Sequence, residues 1–159
     1  MGIYFKSTLL LLALIVSTQA LATSKQATFE RKLGLAQTGN VEAQYDVAYL
    51  YTKGRGVDED EEEAFIWYNK SADQGLDTGQ YKVGMAYLKA VGVDKDLELA
   101  RVWLQKSAGQ GYPPAQYQLG KLLASKHYKD YDGALAWLQK AQNSGYERAA
   151  SEIRKLKRK

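Results

Sequence analysis

The chain contains no cysteine, a single histidine and only two prolines among its 159 residues. Without cysteine it can form no disulfide, thiol nucleophile or thiolate metal site, so burial alone must hold the fold together. The lone His127 offers no partner histidine for a metal, and its neighbours Ser125 and Asp130 lie on a loop with no oxyanion signature. We therefore predict no metal, no cofactor and no catalytic residue, which makes an enzyme the less favoured class.

The chain has a net charge of +4, but the body of the chain carries no excess of positive charge. Of its 22 basic residues, Lys6 and five in Arg154–Lys159 leave 16 for residues 23–153, against 18 acidic ones. A nucleic-acid-binding domain should carry its positive charge across a face of the fold, so we predict no nucleic-acid partner. The tail could bind an anionic envelope surface or an acidic partner, or could be a solubilising helix end.

Long apolar runs are also absent, apart from TLLLLALIV near the N-terminus. Lys6 precedes this run and Ala20-Leu21-Ala22 follows it, which is the pattern of a secretory signal peptide at 1–22 cleaved after Ala22. An uncleaved anchor is the alternative, but the run is about half of the ~20 residues that a spanning helix needs. We predict an exported bacterial protein, periplasmic or secreted.

What the chain does contain is one pattern in three copies. Trp67, Trp103 and Trp137 occupy the frames AFIWYNKSADQG, ARVWLQKSAGQG and ALAWLQKAQNSG, at intervals of 36 and then 34 residues. Matching segments precede them: AQYDVAYLY, GQYKVGMAYL and AQYQLGKLL. A fixed period in this range indicates stacked helix pairs. At these tryptophans we therefore expect packing and not a cofactor or sugar site.

Glycine marks where each unit turns. Gly75, Gly111 and Gly145 share one repeat position, with Gly39 ahead of them, and suit left-handed helix ends. We predict helices A near 41–53, 77–89 and 113–126, and helices B near 59–74, 95–110 and 131–144. The resulting segments are a capping half-repeat at 23–40, repeats at 41–75, 76–111 and 112–145, and a closing helix with a basic tail at 146–159. The predicted fold is all-α, a right-handed α/α solenoid of three helix pairs with terminal caps.

Acidic residues gather before the helices B. Asp58 and Asp94 follow a valine in the preceding loops, and we predict that they cap the next helix. The run DEDEEE at 58–63 resembles a calcium loop only in charge, since it lacks the central glycine and the alternating ligands. The helix dipole explains this run better than a metal does.

The combined pattern, A-x-Y-x-[LV]-[GA]-x-x-Y, then G-x-G-V-x-x-D, then A-x-x-W-x-x-K-[SA]-A-x-Q-G, resembles the Sel-one-like repeat family, α/α relatives of the tetratricopeptide repeat. It covers roughly residues 39–145. Ala48, Ala90 and Gln142 depart from it. The resemblance implies an adaptor that holds protein partners, and an exported member would touch envelope functions or host interaction.

A stripe along the helices A does not repeat, and it would line the concave groove that the resemblance implies. Its mixture of aromatic, thioether and cationic side chains suits an extended peptide with acidic groups, although it could be an ordinary solvated face. The candidate groove residues are Asp46, Tyr49, Lys53, Lys82, Met85, Lys89, Gln118 and Lys121. The predicted function is thus protein or peptide binding; a peptidoglycan- or carbohydrate-modifying enzyme, or surface attachment through the tail, is the alternative.

Overall fold

The computed structural model describes residues 22–158, and the predicted signal peptide lies outside that range except for Ala22. Within it the chain forms eight helices and no strand. The first, α1, covers residues 22–37. The others are α2 Val41–Lys53, α3 Glu61–Asp73, α4 Asp77–Lys89, α5 Leu97–Gly109, α6 Pro113–Leu123, α7 Tyr131–Asn143 and α8 Arg148–Leu156. No helix among the described residues is both long and apolar enough to cross a bilayer.

The helices stack in chain order, each against the next, which confirms the predicted α/α solenoid. Helices α2, α4 and α6 are the helices A, and α1, α3, α5 and α7 have the helix-B position. In the second and third repeats, the two helices of a pair approach closely because helix A has a glycine where it contacts a leucine of helix B. A Cβ added to Gly84 would lie 2.8 Å from Leu104 Cγ, and one added to Gly120 would lie 2.7 Å from Leu138 Cγ. The two leucines are fully buried there.

The helix ends confirm some predictions and correct others. Gly39, Gly75, Gly111 and Gly145 all have φ between 80° and 96°, as predicted. The predicted caps Asp58 and Asp94 were wrong: Asp60 and Asp96 cap instead, each accepting a hydrogen bond of 2.9 Å from the backbone N–H three residues on. The extended loop before each of these helices is two residues longer than the pattern predicted, so α3 begins at Glu61 and α5 at Leu97. Helix α6 likewise ends at Leu123, not near 126, because a turn begins there.

Each repeating tryptophan is covered by the lysine three residues later. Lys70 Nζ lies 3.6 Å from the centroid of the Trp67 ring, and the equivalent distances are 3.8 Å at Trp103 and 4.1 Å at Trp137. One helical turn separates the members of each pair, which places the ammonium over the indole face. The invariant Trp-x-x-Lys of the three frames is therefore a surface-side packing motif.

A relay of glutamines, which sequence reasoning missed, ties successive units together. Gln44 donates to Ala36 O, and Gln74 donates to Gln44 Oε1 at 2.8 Å. Gln80 and Gln110 repeat the arrangement one unit later. In the third unit Ser144 has the position of Gln74 and Gln110, and Gln116 Oε1 is buried with no hydrogen-bond partner in the described part of the chain. A spacing of 30 residues between glutamines is the signal that could have revealed the relay.

The interhelix loops nest against the preceding helix B. A Cβ on Gly56 would lie 2.2 Å from Lys25 O, and a Cβ on Gly92 would lie 2.0 Å from Glu61 O. The shortened third loop makes the equivalent contact differently, since the Tyr128 hydroxyl donates to Leu97 O at 2.9 Å. A hydrogen bond thus takes the place of direct backbone packing.

Candidate partner-binding site

Three of the predicted groove residues share one cavity. Lys82, Met85 and Lys89 lie on consecutive turns of α4 and line a space of about 250 Å³. The other walls come from α2, α3, α4 itself and the loop after α4, and they are mostly apolar or aromatic. They comprise Thr52, Glu61, Ala64, Phe65, Tyr68, Ala86 and Val91. We call this space the second-gap cavity, because it lies where α3 meets α4.

Lys82 is a partly buried cation in this cavity and forms no ion pair with any described residue. Burial lowers its pKa from the ordinary lysine value, and the nearby Lys53 and Lys89 lower it further. Its ammonium lies 5.6 Å from the centroid of the Tyr68 ring. The ring attracts the charge weakly, and no described carboxylate forms an ion pair that would offset the loss of hydration.

Tyr68 lies beside Lys82, and its hydroxyl has no hydrogen-bond partner among the described residues. The side chain is 6% exposed, and its hydroxyl is buried with no hydrogen-bond partner. Burial raises the pKa of Tyr68 to about 12, and the neighbouring Thr52 hydroxyl only partly offsets that rise. Thr52 Oγ1 donates to Ala48 O at 2.9 Å, and the structure forms no hydrogen bond between Thr52 and the Tyr68 hydroxyl. Tyr68 is therefore a protonated donor at neutral pH that lacks an acceptor.

The same register recurs at every junction between a helix B and the next helix A. Lys32 of α1 and Asp46 of α2 are 14 residues apart. The pairs Tyr68–Lys82, Leu104–Gln118 and Leu138–Glu152 have that separation too, and we call the four junctions the first to fourth gaps. In the first gap Lys32 Nζ donates to Asp46 Oδ2, so both charges are paired. Asp46 was predicted to face a partner but is held by Lys32.

The fourth gap encloses a cavity equivalent to that of the second. It measures about 230 Å³ and is lined by Lys121, Ala124, Leu138, Glu152, Lys155 and Leu156. Here Lys155 Nζ donates to Glu152 Oε1 at 2.8 Å, so a lysine in the cavity is paired with a carboxylate of its own helix. In the second-gap cavity, by contrast, Lys82 and Lys89 form no ion pair with a described carboxylate, although Glu61 lines the same cavity.

The remaining predicted groove residues are dispersed. Arg55 lies over the Tyr49 ring at 5.8 Å, and Lys53 is exposed at the end of α2. Gln118 belongs to the third gap. Lys121 lies over the Tyr117 ring at 5.4 Å and lines the fourth-gap cavity. The predicted stripe is thus divided among separate gaps, and Tyr68, which completes the second, was absent from the prediction. Its signal was Tyr in the frame where the other two units have Leu.

The basic tail continues a docked helix. Ala149 and Ile153 are buried, and they seat α8 on the last repeat. Arg154, Lys157 and Arg158 are exposed, whereas Lys155 is paired with Glu152. Lys159 lies outside the described residues. Across residues 22–158, no group of three or more His, Asp or Glu side chains could hold a metal ion.

Comparison with known proteins identifies the repeat. The fold is that of an α/α solenoid. The model of the Sel1 repeat family matches residues 41–76, 78–112 and 113–146. The chain belongs to the Sel1 repeat family, whose repeats generally act as scaffolds for protein–protein interaction and are typically non-catalytic. A search of curated proteins found no match.

Solved structures include several with this fold. A Sel1 repeat protein from Oxalobacter formigenes is 32% identical, with a TM-score of 0.71, over 79% of this chain and 96% of that one. A protective antigen of uropathogenic Escherichia coli strains is 31% identical, with a TM-score of 0.76, over 79% of this chain but only 27% of the longer antigen. An immunity protein from Pseudomonas aeruginosa is 26% identical, with a TM-score of 0.53, over 86% of this chain and 56% of that one.

Proposed function

We propose that this protein is an exported, non-enzymatic adaptor that holds a protein or peptide partner in a groove along its helices A. The observation that carries the proposal is the second-gap cavity, where Lys82 and Lys89 meet mostly apolar walls and form no ion pair with any described carboxylate. A rigid stack that presents cations beside Met85 and Phe65 suits a partner with acidic and apolar side chains together.

Capture from the envelope fraction tests the proposal. The triple variant Lys82→Glu, Lys89→Glu, Lys121→Glu should retain far-UV circular dichroism but lose the proteins that the wild type captures. The matched control reverses three exposed loop lysines, Lys95, Lys126 and Lys129, and should capture as the wild type does. Equal capture by all three proteins would rule out the groove.

Export is a separate part of the proposal and rests on the N-terminal segment. Purification from a bacterial host followed by N-terminal sequencing should give Thr23 as the first residue. A chain that still begins at Met1 in the exported fraction would contradict cleavage after Ala22. Fractionation of the same cells would distinguish a periplasmic protein from a secreted one.

The exposed tail supports a second candidate, attachment to an anionic envelope surface. Arg154, Lys157 and Arg158 project from the end of α8 with no ion pair among the described residues. Deletion of 155–159 should abolish sedimentation with vesicles that contain anionic lipid and leave partner capture intact if the two functions are separate. The enzyme alternative has a direct test as well: muropeptide turnover by the purified protein would revive it.

A further inference from the structure

We infer that the second-gap cavity receives the side-chain carboxylate of a glutamate on the partner protein, bound by the Lys82 ammonium and the Tyr68 hydroxyl. This inference rests on the proposed function and deepens it. It names one cavity, two donors and the chemistry of the group that they take.

The first reason is that Lys82 and Tyr68 both line this cavity and that neither donor has a partner among the described residues. Within residues 22–158, Lys82 forms no ion pair and the buried Tyr68 hydroxyl forms no hydrogen bond. A buried donor without an acceptor is costly, and a half-buried ammonium between two other lysines is costly too. One carboxylate with two oxygens would satisfy both donors at once.

The second reason is that the chain shows the missing group in equivalent places. At the position of Lys82 the first gap has Asp46 and the fourth has Glu152, and each carboxylate is bound by a lysine of the chain itself. In the second gap the lysine occupies that position instead. A carboxylate from outside would restore the pairing that the other two gaps make internally.

The walls select a glutamate over a more highly charged group. Phe65, Met85 and Val91 are apolar and suit the methylenes of a long side chain. Glu61 stands on the same cavity and makes no ion pair among the described residues, so a dianionic phosphate would meet its repulsion. Lys82 and Met85 line the cavity with unbranched, flexible side chains, which can adjust to a bound carboxylate.

Methyl NMR gives a direct readout, because the chain has only two methionines and Met85 lines the cavity. The purified protein with ¹³C-methyl methionine is titrated with acetyl-Phe-Glu-Phe-amide and with its neutral isostere acetyl-Phe-Gln-Phe-amide. Met85→Leu assigns the resonance. The glutamate peptide should shift the Met85 methyl with an affinity about tenfold above that of the glutamine peptide, the value of one good charge-assisted contact.

Two variants identify the donors, and a third is the control. Lys82→Met keeps the length of the side chain and should abolish the preference for glutamate, and Tyr68→Phe should reduce it about threefold. Lys126→Met removes an exposed lysine of the third loop, outside the second-gap cavity, and should change nothing. Circular dichroism confirms that each variant is folded.

Each result decides the inference. Equal affinity for the two peptides, a preference that survives Lys82→Met, or no Met85 shift at the highest peptide concentration would overturn it. Full preference in Tyr68→Phe would remove Tyr68 as a donor and overturn the two-donor site. If the charge-reversed triple variant still loses its partners while the peptides bind equally, the groove function stands and this inference alone fails.

Discussion

The first and second gaps have the same backbone arrangement, but their charged side chains are paired differently. In the first, Lys32 on the helix-B side binds Asp46 on the helix-A side, so the junction is neutral and closed by its own side chains. In the second, Tyr68 and Lys82 occupy those positions and leave a cation and a hydroxyl donor unsatisfied. The repeat therefore sets where a gap lies, and two side chains in each gap decide whether it is available to a partner.

The difference has a thermodynamic meaning. The internal ion pair in the first gap contributes modestly to stability, and it leaves no charged group there for a ligand to neutralise. The unsatisfied groups of the second gap cost stability in the free protein, and that cost can be recovered when an acceptor binds. Function and stability should therefore change in opposite directions when the second gap is altered.

The largest expected effect comes from the loops that close the two gaps. Gly92→Ala would place a Cβ 2.0 Å from Glu61 O and force Val91 away from the second-gap cavity, and φ of 66° adds strain. We expect the free energy of unfolding to fall by about 2–4 kcal/mol in urea denaturation. Gly56→Ala should do the same at the first gap.

Gly109→Ala is the matched control for these loop variants. It lies at the end of α5 with no heavy atom within 4 Å of the added Cβ. It should leave stability unchanged or raise it by up to ~1 kcal/mol. A loss at Gly109 as large as that at Gly92 would contradict the packing explanation.

The next effect tests the comparison by exchanging one gap for the other. The double variant Tyr68→Lys, Lys82→Asp gives the second gap the pair found in the first. We expect the glutamate peptide to bind at least about tenfold more weakly, because an internal carboxylate now occupies the lysine. Isothermal titration measures this, and undiminished glutamate binding by the folded variant would show that the two gaps are not equivalent.

A smaller effect is expected from opening the first gap. Asp46→Asn leaves Lys32 without its ion pair and should lower the free energy of unfolding by about 0.2–1 kcal/mol, because both side chains are partly solvated. The loss should shrink in 1 M salt. Glu98→Gln removes an exposed carboxylate that pairs with Arg101 on its own helix and lies 3.8 Å from His127. It is the control and should have the smaller effect.

The smallest effect has the opposite sign. Lys82→Met should raise the free energy of unfolding by roughly 0.5 kcal/mol at neutral pH, since it removes a desolvated charge near Lys53 and Lys89. Because the folded pKa of Lys82 is lowered, its cost is fully present below that pKa and disappears as the pH approaches the ordinary value of 10.5. The gain measured by thermal unfolding should therefore be smaller at pH 10.5 than at pH 7, and destabilisation at pH 7 would contradict it.

The sequence predicted helices well where the period was strict and less well at their edges. Val41–Lys53 and Asp77–Lys89 match the predicted helices A at both ends. The caps Asp60 and Asp96 were missed because a run of acids offers several candidates, and only the path of the loop selects one. Of the predicted groove residues, Lys82, Met85 and Lys89 came together, whereas Asp46 was already paired.

By itself the sequence determined the solenoid, because three copies of one hydrophobic and glycine pattern can bury their apolar faces only by stacking. It also determined which positions are free to differ. Only the tertiary structure decided which of those positions meet. The register that brings Tyr68 to Lys82 and Lys32 to Asp46 joins residues on different helices, and the wheel of one helix carries no information about its neighbour. Whether a charge is paired or available is a property of that junction, so it could be read only after the helices were in contact.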